Sequence, residues 1–336
     1  MPNISSYSLP QFTDLVKRSF TRAQENMENV MRKAPFIVEQ SMPKGTGDTK
    51  RLAERLQRNQ YASVRDEGNK STGARVQYGY EKDLVITTVS LEIAITKRMR
   101  DAGKNQEILD QVTSLSEVCP NRLDLDLSHR FTFAWSTSYT DMDGRTVDVT
   151  TGDGLALISA SHTLTGSATT YSNQITGNVA FSKAWLAVVE RSFVENSYNN
   201  LGEKVTAKPD VILTADDPDT INSVRELLKA TADVSTSNSG TYNVYQAKYK
   251  HIMWPRIATT ATGDVDNTKR RYWFLIDSGA SDFNLAILNE AYLKTPTDGN
   301  NGEDFSSENW NYLSAMDYGI AVVTAKWIKW SKGEAS

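Results

Sequence analysis

The chain has 336 residues, of which 39% are hydrophobic and 23% charged, and its formal net charge is -4. This composition is typical of a soluble globular protein of one to three compact units, and no apolar run is long enough for a membrane-spanning helix. The near balance of 37 basic and 41 acidic residues excludes the strongly basic class of nucleic-acid-binding proteins, although a local basic patch is still compatible with DNA contact.

Two features bear on the compartment in which the chain is made. Cys119 is the single cysteine, so an intramolecular disulfide is excluded and a reducing environment is favoured. The N-terminal stretch MPNISSYSLPQF lacks a basic region followed by an apolar core and a small-residue cleavage site. We therefore expect no export through a signal peptide.

The N-terminal segment before Pro35 has the apolar spacing of an amphipathic helix or helix pair. Its apolar positions are Leu9, Phe12, Val16, Phe20, Ala23, Met27, Val30 and Met31. Such a helix needs a surface to cover. It either docks on its own domain, which is the commoner arrangement, or packs as an arm on a neighbouring subunit.

Short strand-like pieces between residues 36 and 95 flank a long polar excursion. Seven basic residues of this excursion stand against four acids: Lys44, Lys50, Arg51, Arg55, Arg58, Arg65 and Lys70. Long loops of this kind usually have a function or are disordered. The pattern indicates either a charged hairpin that rests on another molecule or a solvated surface loop.

Residues 106–135 carry an apolar stripe at steps of three and four, which predicts a long "spine" helix. Pro120 lies inside it and has no N–H to donate, so we predict two roughly collinear helices that meet there. Asp124 and Asp126 are two positions apart and point away from each other, which makes them a poor acid/base couple. We interpret them as solvated helix charges.

Residues 139–178 are rich in Thr, Ser, Gly and Asp and predict loops, with DMDG and TGDG as turns because they lack the remaining calcium ligands. Residues 181–198 predict a helix capped by Ser182, and Asp216 or Asp217 caps another that has Pro218 in its first turn. The strands PDVILTA, YNVYQAKY and HIMWPRI complete a small α/β unit.

The C-terminal third predicts mainly strands, in RRYWFLID, FNLAILNEAYLKTP and WNYLSAMDYGIAVVTAKWIKWS. Residues 319–330 are interpreted as one long strand that completes the sheet of the first domain. The chain is thus expected to leave one domain and return to it.

Sequence motifs for chemistry are lacking. The three histidines and one cysteine show no zinc-ligand spacing, and the GxSxG, P-loop and GxGxxG motifs do not occur. His162 with Asp153 and neighbouring serines is a weak match to a catalytic triad. The C-terminal aromatic residues fit either a stacking platform or core packing. We therefore predict no catalytic, cofactor-binding or metal-binding residues and no cofactor.

The order of these elements, together with the local sequence, resembles a known family. The stretches that carry the resemblance are LEIAITKRMRDAGK, RLDLDLSHRFTFAWSTSYTDMDG, TGDGLALISASHTLTG, DPDTINSVRELLKATADV and WNYLSAMDYGIAVVTAKWIKWSKG. With the N-terminal segment and the charged excursion they cover nearly the whole chain. The chain is similar to the major capsid proteins of tailed phages, which have the Hong Kong 97-type fold.

The resemblance implies an α+β fold in four parts. Residues 1–35 would be an N-terminal arm, residues 36–84 an extended β-hairpin loop, residues 85–177 with 270–336 a peripheral domain with the spine helix, and residues 178–269 a mixed α/β axial domain. The arm and the loop of this family lap over neighbouring subunits. The implied intersubunit contacts are Phe12, Phe20, Met27, Arg51, Arg55, Arg58 and Lys70.

The function implied by the resemblance is structural. Copies of the chain would form pentamers and hexamers of an icosahedral phage head around double-stranded DNA, which they would contact non-specifically, with portal and scaffolding or decoration proteins as further partners and no membrane. The expected location is the virion, assembled in the bacterial host cytoplasm. The alternatives are a carbohydrate-active enzyme, a surface-binding protein and a shell protein that encloses cargo.

Overall fold

The computed structural model describes residues 9–25, 31–42, 45, 47–175, 177–233, 240–296 and 309–333. The α-helices in these ranges are α1 (Leu9–Glu25), α2 (Lys97–Asp101), α3 (Asn105–Thr132), α4 (Lys183–Glu195) and α5 (Pro218–Lys229). The strands of the first half are β1 (Ile37–Gln40), β2 (Thr49–Ala53), β3 (Gln57–Arg58), β4 (Val76–Gln77), β5 (Glu81–Val85), β6 (Thr87–Ile95), β7 (Ser138–Thr140), β8 (Thr146–Asp148), β9 (His162–Leu164) and β10 (Ser167–Tyr171). Those of the second half are β11 (Val211–Thr214), β12 (Lys250–Met253), β13 (Trp273–Ile276), β14 (Phe283–Lys294), β15 (Trp310–Val322) and β16 (Ile328–Ser331).

The first of two four-stranded sheets has the strand order β1-β14-β15-β6. The long strands β14 and β15 pair antiparallel, β6 pairs antiparallel with β15, and β1 lies parallel to β14. The helix α3 packs along this sheet and contacts β6, β14 and β15. A sheet that is apolar on one face buries that face against a helix, so α3 and the sheet form the two layers of one core.

The spine helix is confirmed at the predicted place, and its predicted stripe is buried. The stripe residues, each at most 1% exposed, are Ile108, Val112, Leu115, Cys119, Leu123, Leu127 and Phe131. The predicted break at Pro120 is wrong, because α3 runs through the proline as one helix of 28 residues. An interior proline costs about 3 kcal/mol. Buried side chains on both sides of Pro120 offset that cost.

The second sheet has the order β12-β11-β13-β16, with β12 parallel to β11 and the other pairs antiparallel. The helices α4 and α5 cover it through a cluster that includes Leu186, Val189, Phe193, Val224 and Leu227. Both predicted caps are present: the Ser182 side chain accepts from the Trp185 N–H, and the Asp217 side chain accepts from the Thr220 N–H. The structure therefore combines helices with largely antiparallel sheets, as the α+β prediction requires.

Two predicted strands differ from the structure. Residues 242–249 form turns instead of a strand, and the Asn243 side chain holds them by donating to the carbonyls of Leu227 and Ala230. Residues 319–330 are not one strand: β15 ends in the first sheet at Val322, and β16 begins in the second sheet at Ile328. Apolar residues continue across the break because both strands are buried.

The two sheets share one core near the end of α3. The Phe131 ring lies 5.5 Å from the Phe283 ring of the first sheet and 5.2 Å from the Phe274 ring of the second, measured between centroids. Strands β13 and β16, which lie within the predicted segment 270–336, pair in the same sheet as β11 and β12 of the predicted segment 178–269. The second sheet thus spans the predicted boundary at residue 270.

Candidate assembly surfaces

The charged excursion forms a β-hairpin in two tiers. In the lower tier β2 pairs antiparallel with β5, and in the upper tier β3 pairs antiparallel with β4. Residues 59–75 join β3 to β4 without regular strands, and the segment from residue 60 to residue 76 is exposed throughout. We call residues 61–74 the hairpin tip. A hairpin with so few of its own residues buried gains little stability from its own contacts.

The predicted basic contact residues all lie on the surface of this hairpin. Arg51 and Arg58 are exposed on β2 and β3, Arg55 is exposed between them, and Lys70 is exposed in the tip. The Arg51 Nε atom lies 2.9 Å from a carboxylate oxygen of Glu81 across the hairpin. Both side chains of that ion pair are at least half exposed, so its contribution to stability is small.

Large apolar side chains are exposed beside these basic residues. Val64 is 98% exposed, Tyr78 is 75% exposed and Tyr61 is 65% exposed. Apolar side chains that cluster on one projecting element are typical of an interaction surface. These three residues were not among the contacts expected from the sequence, although tyrosine and valine inside a polar stretch were a usable signal.

The three predicted contact residues of the N-terminal arm differ in whether the structure describes them and in how they are placed. The helix α1 contains Phe12, whose side chain lies outside the described residues, and Met27 lies outside them altogether. Phe20 is only 3% exposed, and Val16 is buried with Ile108 and Val112 of α3. In the single chain α1 therefore docks on the spine helix of its own domain.

His162 and Asp153, the weak match to a catalytic triad, both bind neighbouring groups. The His162 Nδ1 atom lies 2.7 Å from Asp153 Oδ2, and its Nε2 atom lies 3.3 Å from the Leu157 carbonyl oxygen. Both ring nitrogens face acceptor oxygens, so neither can act as a base toward a serine hydroxyl. Burial alone would raise the pKa of the Asp153 carboxyl, but hydrogen bonds from His162 and Thr151 outweigh burial and lower that pKa to about 2.

Asp124 and Asp126 are not the solvated charges that the sequence predicted. Asp126 is 9% exposed and accepts hydrogen bonds from Arg122 at 3.1 Å and from the Tyr318 hydroxyl at 2.6 Å. Asp124 is paired with Arg256 at 2.6 Å. The two carboxylates point in different directions, as expected, but each one contacts another side chain of the protein instead of water.

The DMDG and TGDG segments are turns, as predicted. Asp141 Oδ1 accepts from the N–H groups of Asp143 and Arg145, and Gly144 and Gly154 have the positive φ angles that such turns require. Among the residues that the structure describes, no group of three or more His, Cys, Asp or Glu side chains is arranged to hold a metal ion. No helix in the described ranges is both long and apolar enough to cross a bilayer.

Most of the aromatic residues considered for a stacking platform belong to the core. Trp273, Trp327 and Trp330 are fully buried, and Trp254 is 1% exposed. We call the two four-stranded sheets with α3, α4 and α5 the body. A cavity of about 430 Å³ lies between the hairpin base and the α4 side of the body. Its carboxylates already accept hydrogen bonds within the chain: Asp282 from the Thr324 hydroxyl, and Asp277 from the Lys208 N–H.

Scans against protein-family models and against curated protein sequences find no match. Solved structures do match. A chain of Gordonia phage Cozz is 14% identical, with a TM-score of 0.50 over 89% of this chain and 85% of that one. The capsid structure of cyanophage P-SCSP1u is 9% identical, with a TM-score of 0.49 over 90% of this chain and 87% of that one. A Mycobacterium phage Adephagia chain is 11% identical, with a TM-score of 0.47 and 90% of each chain covered. The chain thus has the fold of the Gordonia phage Cozz structure, which confirms, at the level of the fold, the phage resemblance drawn from its sequence.

Proposed function

We propose that the chain is a structural subunit of a tailed-phage head. The observation that carries the proposal is the exposed hairpin, which projects basic and large apolar side chains from a body with the fold of a phage structure. When segments that are exposed in one copy are buried against a complementary surface of another copy, the associated state is stabilised. Copies of this chain are the partner that the proposal requires.

The charge distribution supports contact between copies. Residues 55–75 contain five basic and two acidic residues, a net charge of +3, whereas the whole chain carries -4. The rest of the chain therefore carries a net charge of -7. The hairpin of one copy is attracted to the body of the next, and such head-to-tail contacts form closed rings when the rotation between copies closes.

The finer parts of the proposal follow from the resemblance. We infer pentamers and hexamers, an icosahedral shell around double-stranded DNA, and contacts with portal and scaffolding or decoration proteins. The intersubunit roles of Arg51, Arg55, Arg58 and Lys70 belong to this proposal, as do those of Phe12, Phe20 and Met27. So do the division into arm, extended loop, peripheral domain and axial domain, assembly in the bacterial cytoplasm, and location in the virion.

A catalytic function has no comparable support. The pair Asp153 and His162 is enclosed, and the carboxylates of Asp277 and Asp282 at the cavity are engaged in hydrogen bonds within the chain. A glycoside hydrolase needs two carboxyl groups free to act on one bond. We infer that the chain contributes contacts, not chemistry.

The test is electron microscopy of the recombinant protein after size-exclusion chromatography, with the large and small fractions imaged separately at several salt concentrations. We expect closed particles of uniform size, or rings of five and six copies. Attraction between charged surfaces weakens with added salt, so the fraction of assembled protein should change with ionic strength. A protein that remains a monomer at every concentration, with or without a co-expressed scaffolding partner, would contradict the proposal.

A further inference from the structure

The base of the hairpin is buried even though its tip is exposed. Glu54, which follows β2, is 8% exposed. Its Oε1 atom accepts hydrogen bonds from the Lys326 ammonium at 2.6 Å and from the Gln57 amide at 3.0 Å. Its Oε2 atom accepts from the Asn200 amide at 2.7 Å. A carboxylate is stable in such a place only when charged and polar partners surround it.

The partners of Glu54 also bind each other. The Lys326 ammonium donates to Asn200 Oδ1 at 2.6 Å, and the Asn200 N–H donates to Gln57 Oε1 at 2.7 Å. We call Glu54, Gln57, Asn200 and Lys326 the hairpin joint. It links three separate parts of the chain: the hairpin, the turn after α4, and the crossing between β15 and β16.

Close backbone contact accompanies this network. The Gly166 N–H donates to the Asn200 carbonyl at 3.0 Å, and a Cβ atom on Gly166 would lie 2.7 Å from that carbonyl oxygen and 2.7 Å from Gln77 Cγ. Gly79 faces the Glu54 side chain with similarly little space. At position 166 only glycine allows the hairpin and the β9–β10 turn to approach this closely.

Further hydrogen bonds extend the contact along the second half of the hairpin. The Thr165 hydroxyl donates to the Tyr78 carbonyl at 2.6 Å, and the Arg75 guanidinium donates to the Gly166 carbonyl at 3.2 Å. On the first half, the Gln60 N–H donates to the Glu203 carboxylate at 2.9 Å. The attachment thus reaches from the base of the hairpin to the edge of the tip.

We propose that the hairpin joint fixes the direction of the hairpin in the unassembled chain, so that the tip is already aimed when it meets another copy. The joint residues are positioning residues. The consequence for assembly rests on the proposed function, but the fixed direction is a property of the single chain. A preset hairpin lowers the conformational entropy lost on association, which strengthens binding without any new contact.

The polar character of the joint makes it sensitive to single changes. Glu54→Gln keeps the shape of the side chain but leaves the Lys326 ammonium, whose side chain is only 18% exposed, without its ion-pair partner, which is unfavourable. The adjacent cavity of about 430 Å³ provides room for the hairpin base to move. Arg51→Gln is the matched control, because Arg51 forms an exposed ion pair within the hairpin and does not contact the joint in the structure.

The experiment is hydrogen–deuterium exchange on the unassembled chain, at protein concentrations too low for association. For Glu54→Gln we expect amide exchange in residues 54–60 and 75–80 to be about tenfold faster than in the wild type, with the β14–β15 pair unchanged. For Arg51→Gln we expect little change, at most about twofold. Equal exchange in the wild type and Glu54→Gln would overturn the proposal.

A second variant covers the case in which Glu54→Gln does not fold, as judged by circular dichroism. Gly166→Ala retains every charge and separates hairpin from body by one methyl group, so it is expected to speed exchange in the same two segments. If both variants fold and neither speeds exchange, the joint does not hold the hairpin.

Assembly provides the second readout. When wild-type chains form shells, Glu54→Gln should need about tenfold more protein to form them, because its hairpin must first be ordered. Faster exchange without any change in assembly would refute the positioning role. When wild-type chains form no shells at all, the proposed function fails, but the exchange measurement still decides whether the joint presets the hairpin.

Discussion

The carboxylate of Asp153 lies 2.7 Å from the imidazole of His162, and both side chains are at least 96% buried. The pair holds the loop between β8 and β9 against the β9–β10 strand pair, since His162 also contacts the Leu157 carbonyl of that loop and stacks on the Tyr171 ring at 5.1 Å. Its enclosure makes it a structural contact. The lowered pKa of Asp153 makes its contribution measurable.

Stability should fall in acid as Asp153 is protonated. Its pKa is about 2 in the folded chain, below the ordinary value of 3.8, so the unfolded chain binds the proton more readily. The resulting stabilisation is complete above pH 3.8 and is lost as the pH falls through 2; it amounts to about 2 kcal/mol. Asp153→Asn should remove this part of the pH dependence in denaturant unfolding.

The control for that experiment is Asp66→Asn, because Asp66 is exposed in the hairpin tip. It should leave the acid dependence between pH 2 and pH 4 nearly unchanged. Equal acid profiles for Asp153→Asn and the wild type would show that the Asp153 contact does not stabilise the fold.

Stability should rise in mild alkali because of Lys329. This side chain is 1% exposed on β16, its ammonium donates to the Ser172 carbonyl at 2.6 Å, and burial lowers its pKa to about 8. Between pH 8 and the ordinary value of 10.5 the folded chain has released the proton and the unfolded chain has not. The free energy of unfolding should therefore increase by about 3 kcal/mol across this window.

Denaturant unfolding of the wild type and of Lys329→Met between pH 7 and pH 10.5 measures this effect. The variant should lack the increase. If the free energy of unfolding of the wild type does not rise relative to that of the variant between pH 8 and pH 10.5, the effect cannot be assigned to Lys329.

The docking of α1 on the spine helix should contribute to the stability of the single chain. Phe20 is 3% exposed, so Phe20→Ala removes a buried ring and should lower the free energy of unfolding by about 3–5 kcal/mol. Leu15→Ala on the same helix is the control. Leu15 is 38% exposed, so its replacement should change stability by at most about 0.5 kcal/mol.

Thermal or denaturant unfolding at low protein concentration separates this effect from assembly. If Phe20→Ala is as stable as the wild type but forms no shells, α1 acts between subunits as an arm. That outcome would favour the arrangement implied by the family resemblance over docking on α3.

Removal of the hairpin tip should abolish assembly without harming the subunit. The tip has no hydrogen bond to the body among the described contacts, so replacement of residues 61–74 by two glycines should leave the melting temperature nearly unchanged. Without Val64 and the basic residues of the tip, shells should not form. The control replaces Asn69 and Ser71 by alanine, and normal shells from the tip deletion would show that the tip makes no essential contact.

Periodicity predicted those parts of the fold in which burial follows a regular pattern. The apolar stripe of α3 and the caps Ser182 and Asp217 were readable because they depend on residues close in sequence. The continuity of α3 through Pro120 was not readable, since packing from distant strands decides it. The same applies to the crossing after Val322, where apolar residues continue although the chain changes sheets.

The candidate surface was only partly predictable. The length and the basic residues of the excursion predicted the hairpin, and these basic residues are exposed on it in the structure. The joint was hidden because Glu54, Asn200 and Lys326 are separated by more than a hundred residues from one to the next, and each is unremarkable in its own sequence context. For a similar reason Asp124 and Asp126 were taken for solvated charges, since two of the residues that contact them, Arg256 and Tyr318, come from distant segments.

The crossing between β15 and β16 has a mechanical consequence. One stretch of 22 residues, Trp310 to Ser331, supplies a strand to each sheet, and only five residues lie between the two strands. Tension applied to either sheet is carried to the other through covalent backbone, with the buried Trp327 anchoring the link. The two sheets are therefore joined by a short covalent link, so a displacement of one sheet is transmitted directly to the other.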